Sequence, residues 1–212
     1  MIATDTRVRV ANHPLIQQCL LRLRDYETST GEFRQQAAEL GRFLIYEAMR
    51  DLNVREVEVE TPVGPGQGTT ISDYVIFAPV LRAGLALGEV AQHLLPAARV
   101  FHVGLKRDEE TLEAISYYTK LPGALPADCR VYILDPMLAT GGSAAAAISL
   151  FDKMKISNIH FVCFVAAPEG IKRVHERFPH VVITTASVDK CLNEKGYIVP
   201  GLGDAGDRIF GT

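Results

Sequence analysis

Val131-Tyr132-Ile133-Leu134-Asp135-Pro136-Met137-Leu138-Ala139-Thr140-Gly141-Gly142-Ser143, followed at once by Ala144-Ala145-Ala146-Ala147, decides how the rest of this chain is read. An apolar, β-branched run ends in an acid, crosses a loop of small and hydroxylated residues, and enters an alanine-rich helix. In a strand, loop and helix of this kind the backbone N–H groups from Ala139 to Ser143 can converge on an anion. The helix dipole adds favourable potential there, and Thr140 and Ser143 offer hydroxyl donors. The segment is read as a phosphate cradle. It is not the G-x-x-x-x-G-K loop, because no Lys follows Gly142. Asp135, at the strand end of the loop, is placed to meet a sugar hydroxyl or a metal while the loop holds a phosphate on the same sugar. The bland alternative is a Gly-rich turn with Asp135 as an ordinary cap.

Working outward, continuous apolar runs rich in Val, Ile and Phe cover residues 74–80, 99–103, 129–134, 159–166 and 181–186, each too short for a good helix. Runs without polar alternation are the mark of parallel strands buried on both faces. Helical patterns over 83–95, 142–154 and 168–178 separate them, and two more precede them, at 14–26 behind Pro14 and at 33–52 behind Ser29-Thr30-Gly31-Glu32. Between helices and sheet, residues 54–60 alternate valines with charges. The cluster from Pro62 to Gly68 then forces a turn, so a two-stranded flap returning over 69–72 is expected. The expected architecture is α/β: an open, mostly parallel sheet flanked by helices, with N-terminal helices and a β-flap, forming a single domain over 1–212.

Composition narrows the function. The 212 residues are 48% hydrophobic and 22% charged with a net charge of -3, which gives no general attraction for nucleic acid or an anionic bilayer. No apolar run approaches the roughly 20 residues of a membrane span, and the first residues lack a signal-peptide core. Cys19, Cys129, Cys163 and Cys191 stand far apart, so neither a structural zinc nor a disulfide framework is expected, and the cytoplasm is the default compartment. The six histidines make no ligand spacing and read as surface or satisfied core residues. Met49, Met137 and Met154 read as packing, with Met137 a candidate wall of the sugar site.

Leu134 to Ser143 resembles the 5-phosphoribosyl 1-pyrophosphate (PRPP) loop of the uracil phosphoribosyltransferases. The similarity continues through His13-Pro14-Leu15-Ile16, residues 29–34, Tyr46-Glu47-Ala48, Pro79-Val80-Leu81-Arg82-Ala83-Gly84-Leu85, Arg107-Asp108-Glu109-Glu110-Thr111-Leu112, and the tail from Tyr197 to Arg208. The resemblance implies a type I phosphoribosyltransferase-like fold and a cytoplasmic enzyme of pyrimidine salvage that joins uracil to PRPP, giving UMP and pyrophosphate. It implies PRPP contacts from Arg82, Arg107, Asp135, Pro136, Met137, Leu138, Ala139, Thr140, Gly141, Gly142, Ser143 and Asp204, with Asp135, Arg82 and Arg107 serving catalysis. Uracil would meet Ile198, Gly203, Asp204 and Ala205 within a C-terminal segment, 191–212. Mg²⁺ would arrive on the donor rather than in a protein cage. A homodimer or higher homo-oligomer, with GTP as an activator of some members, is also implied, and neither a nucleic acid nor a membrane is an expected partner.

Most phosphoribosyltransferases carry two further acids where this chain has Pro136 and Ala139, a departure typical of the uracil branch. Arg82 follows one strand and Arg107 another, so both should emerge beside Asp135 at the strand ends, where open α/β sheets bind ligands. In its apolar context Arg82 is expected to be buried and to need a partner. Gly201-x-Gly203-x-x-Gly206 satisfies a dinucleotide fingerprint literally, yet only Asp207 to Thr212 follow, too few for the strand and acid that motif requires. The rival reading from another class is a non-catalytic regulator of the same fold that senses a nucleotide and binds RNA; it calls for a basic face that the net charge does not suggest.

Overall fold

A computed structural model of the chain describes residues 6–107 and 114–212. In chain order the elements are β1 (Val8–Val10), α1 (Pro14–Arg24), α2 (Thr30–Ala48), β2 (Val54–Thr61), β3 (Gly64–Ile71), β4 (Val75–Leu81), α3 (Leu85–Leu94), β5 (Arg99–Val100), β6 (Val103–Arg107) and β7 (Ala114–Thr119). They continue with β8 (Arg130–Leu134), β9 (Met137–Leu138), α4 (Gly142–Asp152), β10 (Ile159–Ala166), α5 (Pro168–Arg177), β11 (Val182–Val188), β12 (Cys191–Leu192), β13 (Ile198–Val199) and α6 (Ala205–Phe210).

The main sheet runs β1-β11-β10-β8-β4-β6-β7, with every neighbour pair parallel except the last. All eight residues of β10, at the centre, are buried, which is why its sequence shows no polar alternation. Successive side chains feed opposite faces. Val75, Phe77, Tyr132, Leu134, Val162 and Phe164 pack under α1, α2 and α3, whereas Ile76, Ala78, Val131, Ile133, Phe161 and Cys163 pack under α4 and α5. Each Val, Leu, Ile or Phe among them contributes roughly 1.5–3 kcal/mol on burial, so this two-faced core holds the strand ends in fixed relation.

Capping sets the helix starts. His13 Nδ1 accepts from Leu15 N–H at the head of α1, and Ser29 and Glu32 form a reciprocal capping box that starts α2 at Thr30, three residues before the apolar periodicity. Three expectations need correction. Within the flap, Thr61 pairs with Gly64, so only Pro62 and Val63 turn, and Pro65, Gly66 and Gly68 lie in β3. A two-stranded ribbon leaves β3 an open edge, where Pro is tolerated. The run 99–103 is two strands, β5 and β6, both paired to β4, so Arg107 ends β6 rather than following a strand that stops at Val103. Finally, β1 and the short pair β12 and β13 were not expected, because three or two residues are too few to show a period.

Candidate active site at the strand ends

Asp135 leaves the C-terminal end of β8 half-buried, with Met137 N–H donating to its Oδ1 at 3.3 Å. Burial pushes its carboxyl up to about 7 against the pull of that one hydrogen bond. The segment after it is less loop-like than expected. Pro136 C=O accepts from Phe164 and Val165 N–H at 2.9 and 3.3 Å, and Met137 and Leu138 pair with Val165 and Ala166 as β9. Leu138, one of the candidate contacts, is fully buried, its C=O accepting from Ala167 N–H at 2.8 Å.

Beyond β9 the chain turns through Gly141, which heads α4 at φ +77 and gives it no side-chain cap. The first N–H groups of α4 therefore have little claim on them beyond a long contact from Gly142 N–H to Thr140 Oγ1, 3.5 Å. Glycine is required here by space as well as by φ: a Cβ on Gly141 would stand 2.9 Å from Gly170 C=O, and one on Gly170 would meet Leu138 C=O at 2.8 Å. Thus α5 and the loop touch backbone to backbone, and the cradle is held from behind. Ser143 is exposed on the first turn, as a phosphate donor must be.

Arg82 corrects an expectation. Its side chain is 60% exposed, not buried, paired to Asp207 Oδ1 at 3.5 Å and lying 5.7 Å from the Phe210 ring. It is free to swing toward a ligand. Arg107 lies three residues past Gly104, the β6 partner of Leu81 at the end of β4, so its backbone projects about 10 Å beyond the strand edge. Its side chain and residues 108–112 of the matched run lie outside what the structure describes.

A cleft of about 420 Å³ opens between the loop and the tail, walled by Arg82, Met137 and Ala139 on one side and by Ile198, Gly203, Asp204 and Ala205 on the other. All four tail residues expected to read a base therefore face two of the loop residues expected to hold the sugar phosphate. Asp204 is also the cap of α6, its carboxylate accepting from Asp207 N–H at 3.0 Å. Sequence reasoning missed Lys195, Gly196 and Tyr197 as lining groups. They form the turn between β12 and β13, where Asn193 Oδ1 accepts from the N–H of Lys195 and of Tyr197, both at 3.0 Å. The readable signal was Asn193 and Gly196 at turn spacing, and Gly196 does take φ +79.

The tail is anchored rather than draped. Asp189 takes two hydrogen bonds from Arg24, at 2.6 and 2.8 Å, one from Ser187 hydroxyl and one from Gly201 N–H. Burial works against its charge, but those partners hold its carboxyl below the usual range. Arg208 donates to the C=O of Leu23, Leu202 and Asp25 while lying 4.3 Å from the Phe33 ring, so α1 and α2 grip the tail from beneath.

Among the described residues no group of three His, Cys, Asp or Glu could hold a metal, and no helix is long and apolar enough to cross a membrane. Cys19, Cys129 and Cys163 are buried in the two cores and Cys191 is partly so, all four as free thiols.

The family model of uracil phosphoribosyltransferase matches residues 10–212. A uracil phosphoribosyltransferase of Dictyoglomus turgidum is 49% identical over 207 residues, covering 97% of this chain and 99% of the relative. A solved protein of Aquifex aeolicus superposes with a TM-score of 0.89 at 42% identity, covering 96% of this chain and 97% of that one. An adenine phosphoribosyl transferase from Trypanosoma brucei, solved with AMP, pyrophosphate and ribose-5-phosphate, superposes at 0.59 with 13% identity over 91% of this chain and 88% of its own, a likeness of fold alone.

Proposed function

This chain belongs to the uracil phosphoribosyltransferase family, and from that premise we propose how its residues divide the work. The activity is that of a pentosyltransferase in pyrimidine salvage, uracil and PRPP giving UMP and pyrophosphate. The loop from Ala139 to Ser143 takes the 5′-phosphate, Asp135 orients the ribose hydroxyls, Arg82 and Arg107 draw charge onto the departing pyrophosphate, and Ile198 to Ala205 read uracil. A cleft that sets the tail opposite the cradle is the observation that carries this assignment.

Pyrophosphate leaves the anomeric carbon as the ring acquires oxocarbenium character, so catalysis rests on positioning and on charges aimed at the leaving group. Arg82 suits that task because its guanidinium is exposed and bound only at 3.5 Å. With one half-buried carboxylate and no acid cluster among the described residues, the site fits Mg²⁺ carried by PRPP oxygens and waters, where it would offset phosphoryl charge. Uracil is read by main-chain groups, since the stretch from Ile198 to Ala205 contributes one ionisable side chain, Asp204, already engaged in capping α6. A donor aimed at the 4-oxo group meets an amine in cytosine, and leaving buried groups unpaired discriminates by about 10⁴.

The proposal extends to one phosphoribosyltransferase domain over 1–212, to assembly as a homodimer or higher homo-oligomer, to GTP as an activator, and to the cytoplasm; sedimentation and a GTP titration test the assembly and the activator. The central test is a base panel of uracil, cytosine, orotate and hypoxanthine, each with PRPP and Mg²⁺. UMP formation from uracil alone is expected, and equal use of a second base would refute the assignment of the tail. Arg82→Ala should weaken PRPP and pyrophosphate more than UMP, because only the first two present the leaving group.

A further inference from the structure

The helix that backs the cradle carries an exposed cation with no partner among the described residues. Four basic side chains of α5 differ in their engagements. Lys172 pairs with Glu176 at 3.7 Å, His175 Nε2 meets Val181 C=O at 3.1 Å, and Arg177 lies 5.3 Å from the Phe178 ring. Arg173 has neither a hydrogen bond nor an ion pair among the described residues. Its position is defined instead by the glycines it covers: a Cβ built on Gly141 would stand 3.3 Å from Arg173 Cβ, and one on Gly142 would stand 3.7 Å from Arg173 Nη1. The side chain thus runs from the αL glycine to the first residue of α4, and its guanidinium stands beside the uncapped start of the helix, where the 5′-phosphate is assigned.

Two like-signed features, the uncapped N-terminus of α4 and the exposed guanidinium of Arg173, lie side by side. A phosphate monoester between them would satisfy both, the N–H groups by short hydrogen bonds and the guanidinium by charge-assisted ones. We propose that Arg173 is a further binding residue for the 5′-phosphate, an ionic contact added from α5 to a cradle that otherwise works by backbone and hydroxyl groups. The proposal rests on the phosphoribosyltransferase reading of the loop. It predicts selectivity within the substrate: Arg173 serves the phosphate monoester end of PRPP and UMP and ignores the pyrophosphate end, which lies toward Arg82.

The test titrates ribose 5-phosphate and pyrophosphate separately against the intact protein, R173Q and R173K by calorimetry, with no uracil present. R173Q should weaken ribose 5-phosphate by about 10-fold or more, the loss typical of a charge-assisted hydrogen bond. Pyrophosphate should stay within about twofold, and R173K should recover part of the loss because Lys still supplies a charge without the planar fork. The deficit of R173Q should shrink as salt is raised, which a packing defect would not do. Unchanged ribose 5-phosphate affinity in R173Q, or an equal fall for pyrophosphate, would overturn the proposal. A wild-type protein that bound ribose 5-phosphate through Arg173 yet made no UMP would overturn the assigned reaction and leave Arg173 in place.

Discussion

The two ends of the same parallel sheet handle polar groups in opposite ways. At the C-terminal end they come after the strands: Asp135 half-buried, Arg82 exposed, Ser143 exposed, and the first N–H groups of α4 uncapped beside a cleft. At the N-terminal end they lie inside the strands and on one face. Arg9 of β1 stands opposite Thr184 of β11, His160 of β10 opposite Tyr132 of β8, and Arg130 pairs with Asp73 at 2.7 Å. Five of these side chains carry a buried atom with no well-formed hydrogen bond among the described residues: Arg9 Nη1, Arg130 Nε, Tyr132 OH, His160 Nδ1 and Thr184 Oγ1. His160, read from sequence as satisfied or superficial, is neither.

Desolvation acts at both ends, with different results. Burial pushes Tyr132 up to about 12 and, reinforced by Arg9 and Arg130, pushes His160 down to about 4, so both stay neutral across the ordinary pH range. At Asp135 the same effect brings a carboxyl to about 7, two residues before Met137, which does line the open cleft. The lesson is that a perturbed group signals chemistry only where the fold leaves a way in.

The largest effect that would break this contrast comes from the backbone of the functional end. A Cβ on Gly84 would fall 2.6 Å from both Val80 N and Val80 O and closer still to Leu134 C=O, so Gly84→Ala must displace β4 from β8. The expected cost is about 3 kcal/mol, a melting temperature lowered by roughly 6–12 °C, with activity lost before stability; thermal melts beside the UMP assay check this.

Next comes Asp135→Asn, expected to cut turnover by about 10²-fold while leaving uracil affinity nearly unchanged. The same variant should be more stable than the parent at pH 8. Because the folded pKa, about 7, lies above the unfolded 3.8, the charged carboxylate costs stability in full above pH 7, and the gain from Asn should vanish as pH falls toward 4. In the parent, kcat/KM for PRPP should fall as pH drops through about 7, since only the carboxylate accepts from ribose hydroxyls. A flat profile with a stabilised variant would detach Asp135 from the sugar.

His160→Leu probes the other end. Its folded pKa, about 4, lies below the unfolded 6.5, so the parent loses stability as pH falls from 6.5 toward 4 while the unfolded chain takes up a proton. The variant should lose less over that window and keep its activity at pH 7.5, as followed by urea melts at several pH values. Smallest is Tyr132→Phe, which removes a buried hydroxyl that lies by the Arg130 guanidinium without a well-formed hydrogen bond and should change stability by less than about 1 kcal/mol. A loss of several times that size would mean that the hydroxyl is satisfied after all.

Much of this was legible in the chain. Four of the five apolar runs appear as buried strands and the fifth, 99–103, splits between β5 and β6, with β10 at the expected limits of 159–166, and Leu134 to Ser143 identified the cradle because strand, acid, small loop and helix must follow one another in sequence for a phosphate to be held. Local order carried that information. Harder to read were elements of two or three residues, such as β9, β12 and β13, which exist only because a long strand or the tail offers them partners. Arg82 was misread for the same reason: apolar neighbours report the burial of a strand, not of the side chain that leaves it.

By itself, then, the sequence determined the parallel sheet, its order of strands and helices, and the loop that faces the sugar phosphate, since each depends on the pattern of adjacent residues. Tertiary structure alone decided which distant groups share that site. It brought Tyr197 and Lys195 to the loop across roughly sixty residues of chain, set α5 against Gly141 through glycine contacts that no side chain could make, and laid Arg173 along the head of α4. It also closed helices over Tyr132 and His160, because burial of a polar atom is a property of what packs above it, and that is not written beside it in the chain.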